Sequence, residues 1–380
     1  MQSNKINVLM ISYGSKSFYE NRFGVLDRHI RYASFFKSMT IFLLTKDKTI
    51  TRFEKLNLSI IPVYGKSYII SFFKLLFKGG INNYNIVTTQ DPFITGLIGV
   101  FYKKLYGIKL HIQNHSSFID NKYWIKESFL VNSIFNLLAK KITLKSADRL
   151  RVVNSTEKSK YIDKLKIKES IIDIAPIGVH DKNDCNTRDI LRFKNFYKIP
   201  KDKFIIGWAG RFVKLKRLNL IFEAISKSNC KEEIVLLLAG DHLKSEYNLD
   251  SLRVESNIKV IYTGVLKKSE MPLFYNSLDL YVQSSLYEGY GVVIKEAISY
   301  KIPVLSTKNA GSIDQIKDGE NGYLFDTLNQ LKSLIEMLFK DRDHLIYLTK
   351  FKLIEADNDN DIISSLVKSW FKNLYNLNYD

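Results

Sequence analysis

The chain has 380 residues, 46% of them hydrophobic and 25% charged, which leaves room for two domains at ~150 residues each and excludes a disordered or linker-rich protein. Lys and Arg outnumber Asp and Glu by 57 to 39, a net charge of +18, so an anionic partner is expected: nucleic acid, anionic lipid or a charged substrate. Part of that excess belongs to a composition rich in Lys, Ile and Asn. Cys185 and Cys230 lack metal-ligand spacing and suggest a reducing compartment. The opening MQSNKINVLMIS enters a strand at once, so no signal peptide is expected. The longest apolar runs, such as Phe93 to Tyr102, are broken by Thr and Gly and fall short of the ~20 residues needed to span a bilayer. No solenoid repeat is visible.

Asn7 to Ser12 reads as a short buried parallel strand ended by Tyr13, Gly14 and Ser15. A helix follows, with Ile30, Ala33, Ser34 and Lys37 on successive turns. The dinucleotide fingerprint G-x-G-x-x-G is missing, because the next glycine is Gly24, which counts against a nicotinamide dehydrogenase. Strands are predicted at Ile41 to Leu44 and at Ser59 to Val63, the latter closed by Pro62 and Gly65. In Lys66 to Lys78, the residues Ile69, Phe72, Phe73, Leu76 and Phe77 form one apolar helical stripe, with Lys74 and Lys78 on another face. That helix either packs on the core or lies on a membrane surface. Further strands are predicted at Asn85 to Thr89, Leu110 to Gln113, Leu150 to Asn154 and Ile171 to Ile174. A second amphipathic helix is predicted over Phe129 to Leu144, with Lys140, Lys141 and Lys145 in or beyond it. His115 lies just past a strand end, where a polar loop residue is the plain reading, and His111 lies within the strand.

After a polar, loop-like stretch from Asp181 to Asp189, the alternation restarts. Strands are predicted at Phe204 to Trp208, Glu233 to Ala239, Val260 to Thr263 and Ile302 to Ser306, with helices at Leu218 to Ser226 and Leu331 to Phe339. A last helix runs through Trp370 and Phe371. The most informative stretch is Ser285 to Glu296, SLYEGYGVVIKE. It runs from an apolar strand, Leu278 to Val282, through Gly289 and Gly291 into a helix from Val292 to Ser299. Glycine lets the backbone approach a ligand, and the unpaired N–H groups of a helix start hold a phosphate. Glu288 and Glu296 would then accept hydroxyl groups on either side of it. A diphosphate between two polyols is a nucleotide sugar.

The spacing Glu288, seven residues, Glu296 resembles the E-x7-E motif of the large retaining glycosyltransferase family numbered four. Gly210-Arg211, four residues, then Lys216 resembles the family's G-R…K-G segment, with Arg217 where the family has Gly. TTQDPFITGL resembles bacterial polysaccharide-type members, and Ile174 to Val179 resembles the family's interdomain hinge. Ala310 to Asp314 departs from the family's Gly-Gly-x-x-Glu.

The resemblance implies a GT-B fold: two doubly wound, Rossmann-like α/β domains facing across a cleft. It implies an acceptor-binding domain over 1–178, a donor-binding domain over 179–360 and a C-terminal helix over 361–380 crossing back. It places Gly14, Gly210, Gly264, Val265, Leu266, Gly289, Tyr290, Gly291 and Val292 against the donor. His115 and Glu288 fall at its sugar, Arg211 and Lys216 at its phosphates, and Glu296 at its ribose. The expected reaction is retaining sugar transfer, from a UDP- or GDP-sugar to a glycan or lipid-linked acceptor. Electrostatic stabilisation of the leaving phosphate would drive it. No cofactor and no metal are expected, since no D-x-D stands in a suitable place; Asp357-Asn-Asp359 reads as a loop. The charge and the two helices of the first half predict a cytoplasmic enzyme peripheral on the inner face of an anionic membrane. A sugar-nucleotide epimerase or soluble oligosaccharide synthase is the alternative. A nucleic-acid-binding protein lacks any supporting motif.

Overall fold

The computed structural model describes residues 6–15, 18, 25–178, 185–350 and 366–367. Gly24, residues 179–184 at the start of the polar stretch, Asp357 to Asp359, and the helix through Trp370 and Phe371 lie outside the described residues. The described chain falls into two compact units. One holds the residues up to Pro176 together with Leu366 and Val367, and the other those from Ile177 to Lys350.

In the N-terminal unit eight strands form one sheet: β1 (Asn7–Tyr13), β2 (Ser38–Thr45), β3 (Phe53–Lys55), β4 (Leu58–Tyr64), β5 (Ile86–Thr89), β6 (Lys109–Asn114), β7 (Arg149–Val152) and β8 (Ile172–Ile174). Their order is β3-β4-β2-β1-β5-β6-β7-β8. All neighbours are parallel except β3 with β4. β1 is buried along its middle, as a strand covered on both faces must be. β4 continues through Pro62 to Tyr64 instead of closing there. It sits one strand from the edge and pairs with β3 only over Leu58 to Ile60, so a missing N–H is tolerated. The antiparallel β3 was not foreseen.

The helices of this unit are α1 (Val25–Ala33), α2 (Tyr68–Leu76), α3 (Ile94–Tyr106), α4 (Lys122–Glu127), α5 (Phe129–Leu138) and α6 (Ser155–Leu165). The helix predicted over Phe129 to Leu144 is broken. Asn121 caps α4, accepting from the amides of Tyr123 and Trp124, and α5 runs into a π-helical turn, Ala139–Thr143. There Thr143 donates to Pro92 O at 2.6 Å. One core joins Leu9, Leu75, Ile98 and Leu110, and a second joins Met10, Tyr32, Ile60 and Leu366.

The C-terminal unit has six parallel strands in the order β11-β10-β9-β12-β13-β14. They are β9 (Phe204–Ala209), β10 (Ile234–Ala239), β11 (Lys259–Gly264), β12 (Leu280–Gln283), β13 (Val304–Thr307) and β14 (Gly322–Phe325). The helices are α7 (Thr187–Phe196), α8 (Leu218–Ser226), α9 (Leu249–Ser256), α10 (Met271–Tyr275), α11 (Val292–Ser299), α12 (Leu328–Lys340) and α13 (Arg342–Thr349). α7 starts inside the stretch expected to be a loop, because Asn186 caps it on the amide of Asp189. β9 and β10 are fully buried between two apolar clusters, one on each face. Both units are thus α/β and largely parallel, and ligands of such sheets bind at the carboxyl ends of the strands.

Candidate functional site

At the carboxyl edge of the C-terminal sheet, three strands end in glycine. Gly210 N donates to Ala239 O at 3.0 Å, and Gly240 N to Gly264 O at 2.9 Å. A Cβ on Gly240 would stand 2.1 Å from Gly210 O, so only glycine permits this approach. Val265 then projects into solvent, while Leu266 turns back onto the core.

The stretch around Glu288 is assembled from three segments. Leu286 N donates to Leu215 O at 3.0 Å, joining it to the loop after β9. Thr307 and Asn309 donate to Ser285 O, at 2.5 and 3.2 Å. Gln315 Nε2 donates to Tyr290 O and, at 2.6 Å, to Gly311 O. A Cβ on Gly311 would lie 2.7 Å from that of Glu288, so Gly311 is needed although its neighbours depart from the family's pattern. Arg217, which stands where the family has glycine, takes up the left-handed conformation that glycine favours, with φ 45°. Its Nε donates to Ser284 O at 2.8 Å, and Ser284 Oγ donates back to Arg217 O at 2.9 Å. The tight turn therefore survives, held by a side chain.

Within this frame Lys216 and Glu288, 72 residues apart, form an ion pair and are both mostly buried. The same Glu288 oxygen, Oε1, also accepts from Gln283 Nε2 at 2.7 Å and Ser285 Oγ at 2.8 Å. No donor among the described residues reaches Oε2. The carboxylate is locked in orientation with one oxygen left for a ligand. Gly291, with φ 75°, precedes α11 without any side-chain cap, so the first amides of α11 are open to an anion.

Glu296 lies on α11. Its Oε2 accepts from Tyr275 OH at 2.7 Å, and Tyr275 stacks on Tyr300. Burial raises the Glu296 carboxyl above its ordinary range, opposed by the Tyr275 bond and the Lys268 charge. Arg211 is exposed and has no side-chain partner among the described residues, so the structure does not join it to Lys216. Sequence reading missed Gln283, Ser285, Thr307, Asn309 and Gln315. Gln283, a buried amide at the end of an apolar strand, was the available signal.

In the N-terminal unit, Gly14 follows β1, and a Cβ there would overlap the Leu43 side chain at 2.4 Å. His115 lies just past β6 with Nε2 3.1 Å from Gln90 Oε1. Burial holds it well below the ordinary imidazole value, and the Arg151 charge adds to this. His111 is a core residue: it is fully buried, with Nδ1 2.9 Å from Thr88 Oγ1. Asp91 was not foreseen as special. It accepts from the amide of Phe93 and from Thr95 Oγ1, both at 2.6 Å, and burial pushes it up to about 6. No group of three His, Cys, Asp or Glu among the described residues is arranged to hold a metal ion.

An uncapped helix start, a locked carboxylate and a lysine meet at the carboxyl end of a parallel sheet, where α/β proteins hold their ligands. Residues 189–351 match the family of Glycosyl transferases group 1. The match begins in α7 and ends after α13. The capsular polysaccharide biosynthesis glycosyltransferase CapM of Staphylococcus aureus is 27% identical over 53% of this chain and 54% of its own length. An Escherichia coli UDP-Gal:alpha-D-GlcNAc-diphosphoundecaprenol alpha-1,3-galactosyltransferase is 26% identical over 72% of this chain and 70% of its own. The match spans about half the length, or less, of the first curated relatives, at 54%, 33% and 53%. Among solved structures, Anabaena Alr3699/HepE in complex with UDP and glucose is similar with a TM-score of 0.75. It is 13% identical, and the similarity covers 96% of this chain and 99% of that one. WaaG, a glycosyltransferase of lipopolysaccharide biosynthesis, gives 0.70 at 12% identity over 96% and 99%. The fold is GT-B.

Proposed function

We propose that this protein is a glycosyltransferase of cell-surface polysaccharide or glycoconjugate synthesis, moving a sugar from a nucleotide sugar to a glycan or lipid-linked acceptor. The observation that carries the reading is the Lys216–Glu288 pair beside the uncapped start of α11 in a group 1 glycosyltransferase domain. Relatives named for capsule, O-antigen and diphosphoundecaprenol-linked glycans support the pathway class. In this reading the diphosphate rests on the amides of α11, with Lys216 and Arg211 beside it. Negative charge gathers there as the anomeric bond breaks, and these donors stabilise it without reorganising. Glu288 Oε2 takes a sugar hydroxyl and Glu296 the ribose. Transfer proceeds with retention and without a divalent ion, the cationic donors supplying the charge.

The enzyme works at an anionic membrane surface. α2 and α5 both carry exposed apolar side chains in the N-terminal unit, Ile69 and Phe73 on α2 with Phe77 just past its end, and Phe129, Leu130 and Ile134 on α5. None of the described helices is long and apolar enough to cross a membrane. The cytoplasmic, inner-face location is part of the same proposal. A soluble acceptor is the second reading, favoured by the 26% identity to a probable sucrose-phosphate synthase of Thermosipho melanesiensis.

A thermal-shift screen of UDP-, GDP- and ADP-sugars tests the donor, and product analysis with a lipid-linked acceptor tests the acceptor. A stabilising nucleotide sugar, turned over with retained anomeric configuration in EDTA, is the expected result. No stabilisation by any of the three would end the reading.

A further inference from the structure

The loop from Arg211 to Arg217, between β9 and α8, carries four cations in seven residues. Like charges so close repel one another, and an outside brace is needed to hold them together. Arg217 is also left-handed, a conformation that a residue with a side chain keeps only where its surroundings dictate it. Its own side chain does not cap α8. The cap comes from 29 residues further on, where Tyr247 OH accepts from the Leu218 amide at 3.2 Å. The same hydroxyl shares its hydrogen between the carbonyls of Lys214 and Val213, at 3.1 and 3.3 Å. One phenol therefore ties the chain just before Lys216 to the chain just after it.

The residue before it adds a second tie. Glu246 N donates to Phe212 O, and Glu246 Oε2 accepts from the Lys214 amide, both at 2.8 Å. Glu246 is exposed, so its carboxylate serves the loop and not the core. The brace is itself fixed at its base. Tyr247 N donates to Ser245 Oγ at 3.0 Å, the ring packs against the core of the C-terminal unit, and Asn248 caps α9 directly after it. Burial raises the phenol above its ordinary value, so it keeps its proton and remains a donor. The loop is thus clamped by two segments, Ser284 to Leu286 beside Glu288 and Ser245 to Tyr247 after β10.

We propose that Tyr247 and Glu246 are positioning residues for donor binding, which hold Lys216 in place for the diphosphate by bracing the loop that carries it. The placement of the diphosphate at Lys216 rests on the glycosyl-transfer reading above. Without the brace the four cations relax away from one another and have to be gathered again when the anion binds. That cost falls on the diphosphate. A nucleoside, which carries no phosphate to meet the loop, does not bear it.

The test is calorimetric titration of the full chain with UDP, GDP and inorganic pyrophosphate, and with uridine and guanosine as the fragments that lack phosphate. Tyr247→Phe should weaken diphosphate binding by about ten-fold, the scale of one backbone residue set free. It should leave nucleoside affinity unchanged, which also shows that the site is folded. Glu246→Ala should act in the same direction, and Glu246→Gln, which keeps an acceptor for the Lys214 amide, should restore most of the loss. In a Lys216→Ala chain the further loss from Tyr247→Phe should be less than about two-fold, because the residue it positions is gone. Wild-type diphosphate affinity in Tyr247→Phe would overturn the proposal. So would equal losses for nucleoside and diphosphate, or an undiminished effect in the Lys216→Ala chain. A wild type that binds no diphosphate more tightly than its nucleoside would bring down the donor reading and this proposal with it. A wild type that does, beside an unaltered Tyr247→Phe, would bring down the proposal alone, so the two failures are distinct.

Discussion

Glu288 shows how much a carboxylate depends on its neighbours. Three donors converge on Oε1, so Oε2 is presented in a fixed direction at no ordering cost when a ligand arrives. In the proposed reading Lys216→Ala removes a phosphate donor and also releases Glu288, whereas Arg211→Ala removes an exposed charge alone. Both variants are expected to lose ~100-fold or more in turnover, the scale of one preorganised donor, with Lys216→Ala the more severe. Steady-state kinetics decides it, and a Lys216→Ala enzyme with near wild-type turnover would misplace the site. The two carboxylates divide differently. Glu296→Ala should weaken binding of the nucleoside diphosphate, while Glu288→Ala should leave it intact and impair sugar transfer. Equal calorimetric losses would remove that division. Glu296 also carries a stability cost. Its carboxyl is raised by burial, so its favourable contribution is present below the ordinary value of 4.5 and is lost as pH rises through the folded value. Glu296→Gln keeps an acceptor for Tyr275 without the buried charge. It is therefore expected to raise the unfolding midpoint at pH 7 and to make little difference at pH 4. A midpoint that does not rise at pH 7 would mean the charge is solvated after all.

Among the elements, α2 tests how far a sequence pattern reaches. The helix is where periodicity placed it, but its phase is not the predicted one. Ser71 and Leu75 face the core, Phe72 packs against it, and Ile69, Phe73 and Phe77 face out. Apolar residues surround most of this helix, so their spacing cannot choose a face. The choice falls to Ser71, small enough to approach β4 and donate to Val63 O at 3.1 Å. Lys74 and Lys78 are likewise not simply solvated: one lies over Tyr64, the other over Phe42. Strands were easier to read, since a buried parallel strand is a short apolar run wherever it stands. Gly210, Gly291 and Arg217 were legible because a tight turn needs a particular backbone conformation. The Lys216–Glu288 bond and its five supporting side chains were not, because tertiary contacts across 72 residues leave no local period. The outward face of α2 sets the next expectation. Each lysine near an anionic leaflet is worth ~1 kcal/mol, and inserted aromatic rings add a part that salt does not remove. The protein should sediment with phosphatidylglycerol vesicles and ignore neutral ones. Phe73→Ser with Phe77→Ser should abolish that, whereas Phe72→Ser should destabilise the fold instead. Vesicle binding that survives the outer pair would assign the membrane contact to α5 alone.

On the scale of the whole chain, the two units should respond oppositely to acid. In the N-terminal unit His29, His111 and His115 are all held below the ordinary imidazole value, by burial first in each case. A histidine depressed in the folded state contributes stability that is present above 6.5 and lost as pH falls towards its folded value, about 4 for His29. Fully developed, that depression is worth ~3 kcal/mol. Asp91 works the other way. Raised from 3.8 to about 6, it favours the folded state on acidification by a similar amount, so the two roughly cancel. Glu157, raised by burial, adds to the Asp91 side. His111 and His115 remain against it, and His111 is the more firmly buried of the two. The C-terminal unit holds Asp279 and Glu296, both raised by burial, which favour its folded form as pH falls. Calorimetric unfolding of the full chain from pH 7.5 to pH 5 should therefore show one transition moving down in temperature and another holding or rising. His111→Gln keeps a partner for Thr88 and cannot titrate, so it should flatten the falling transition and leave the other alone. Two transitions that shift together, or a His111→Gln slope equal to wild type, would mean that the buried histidines do not set the acid response.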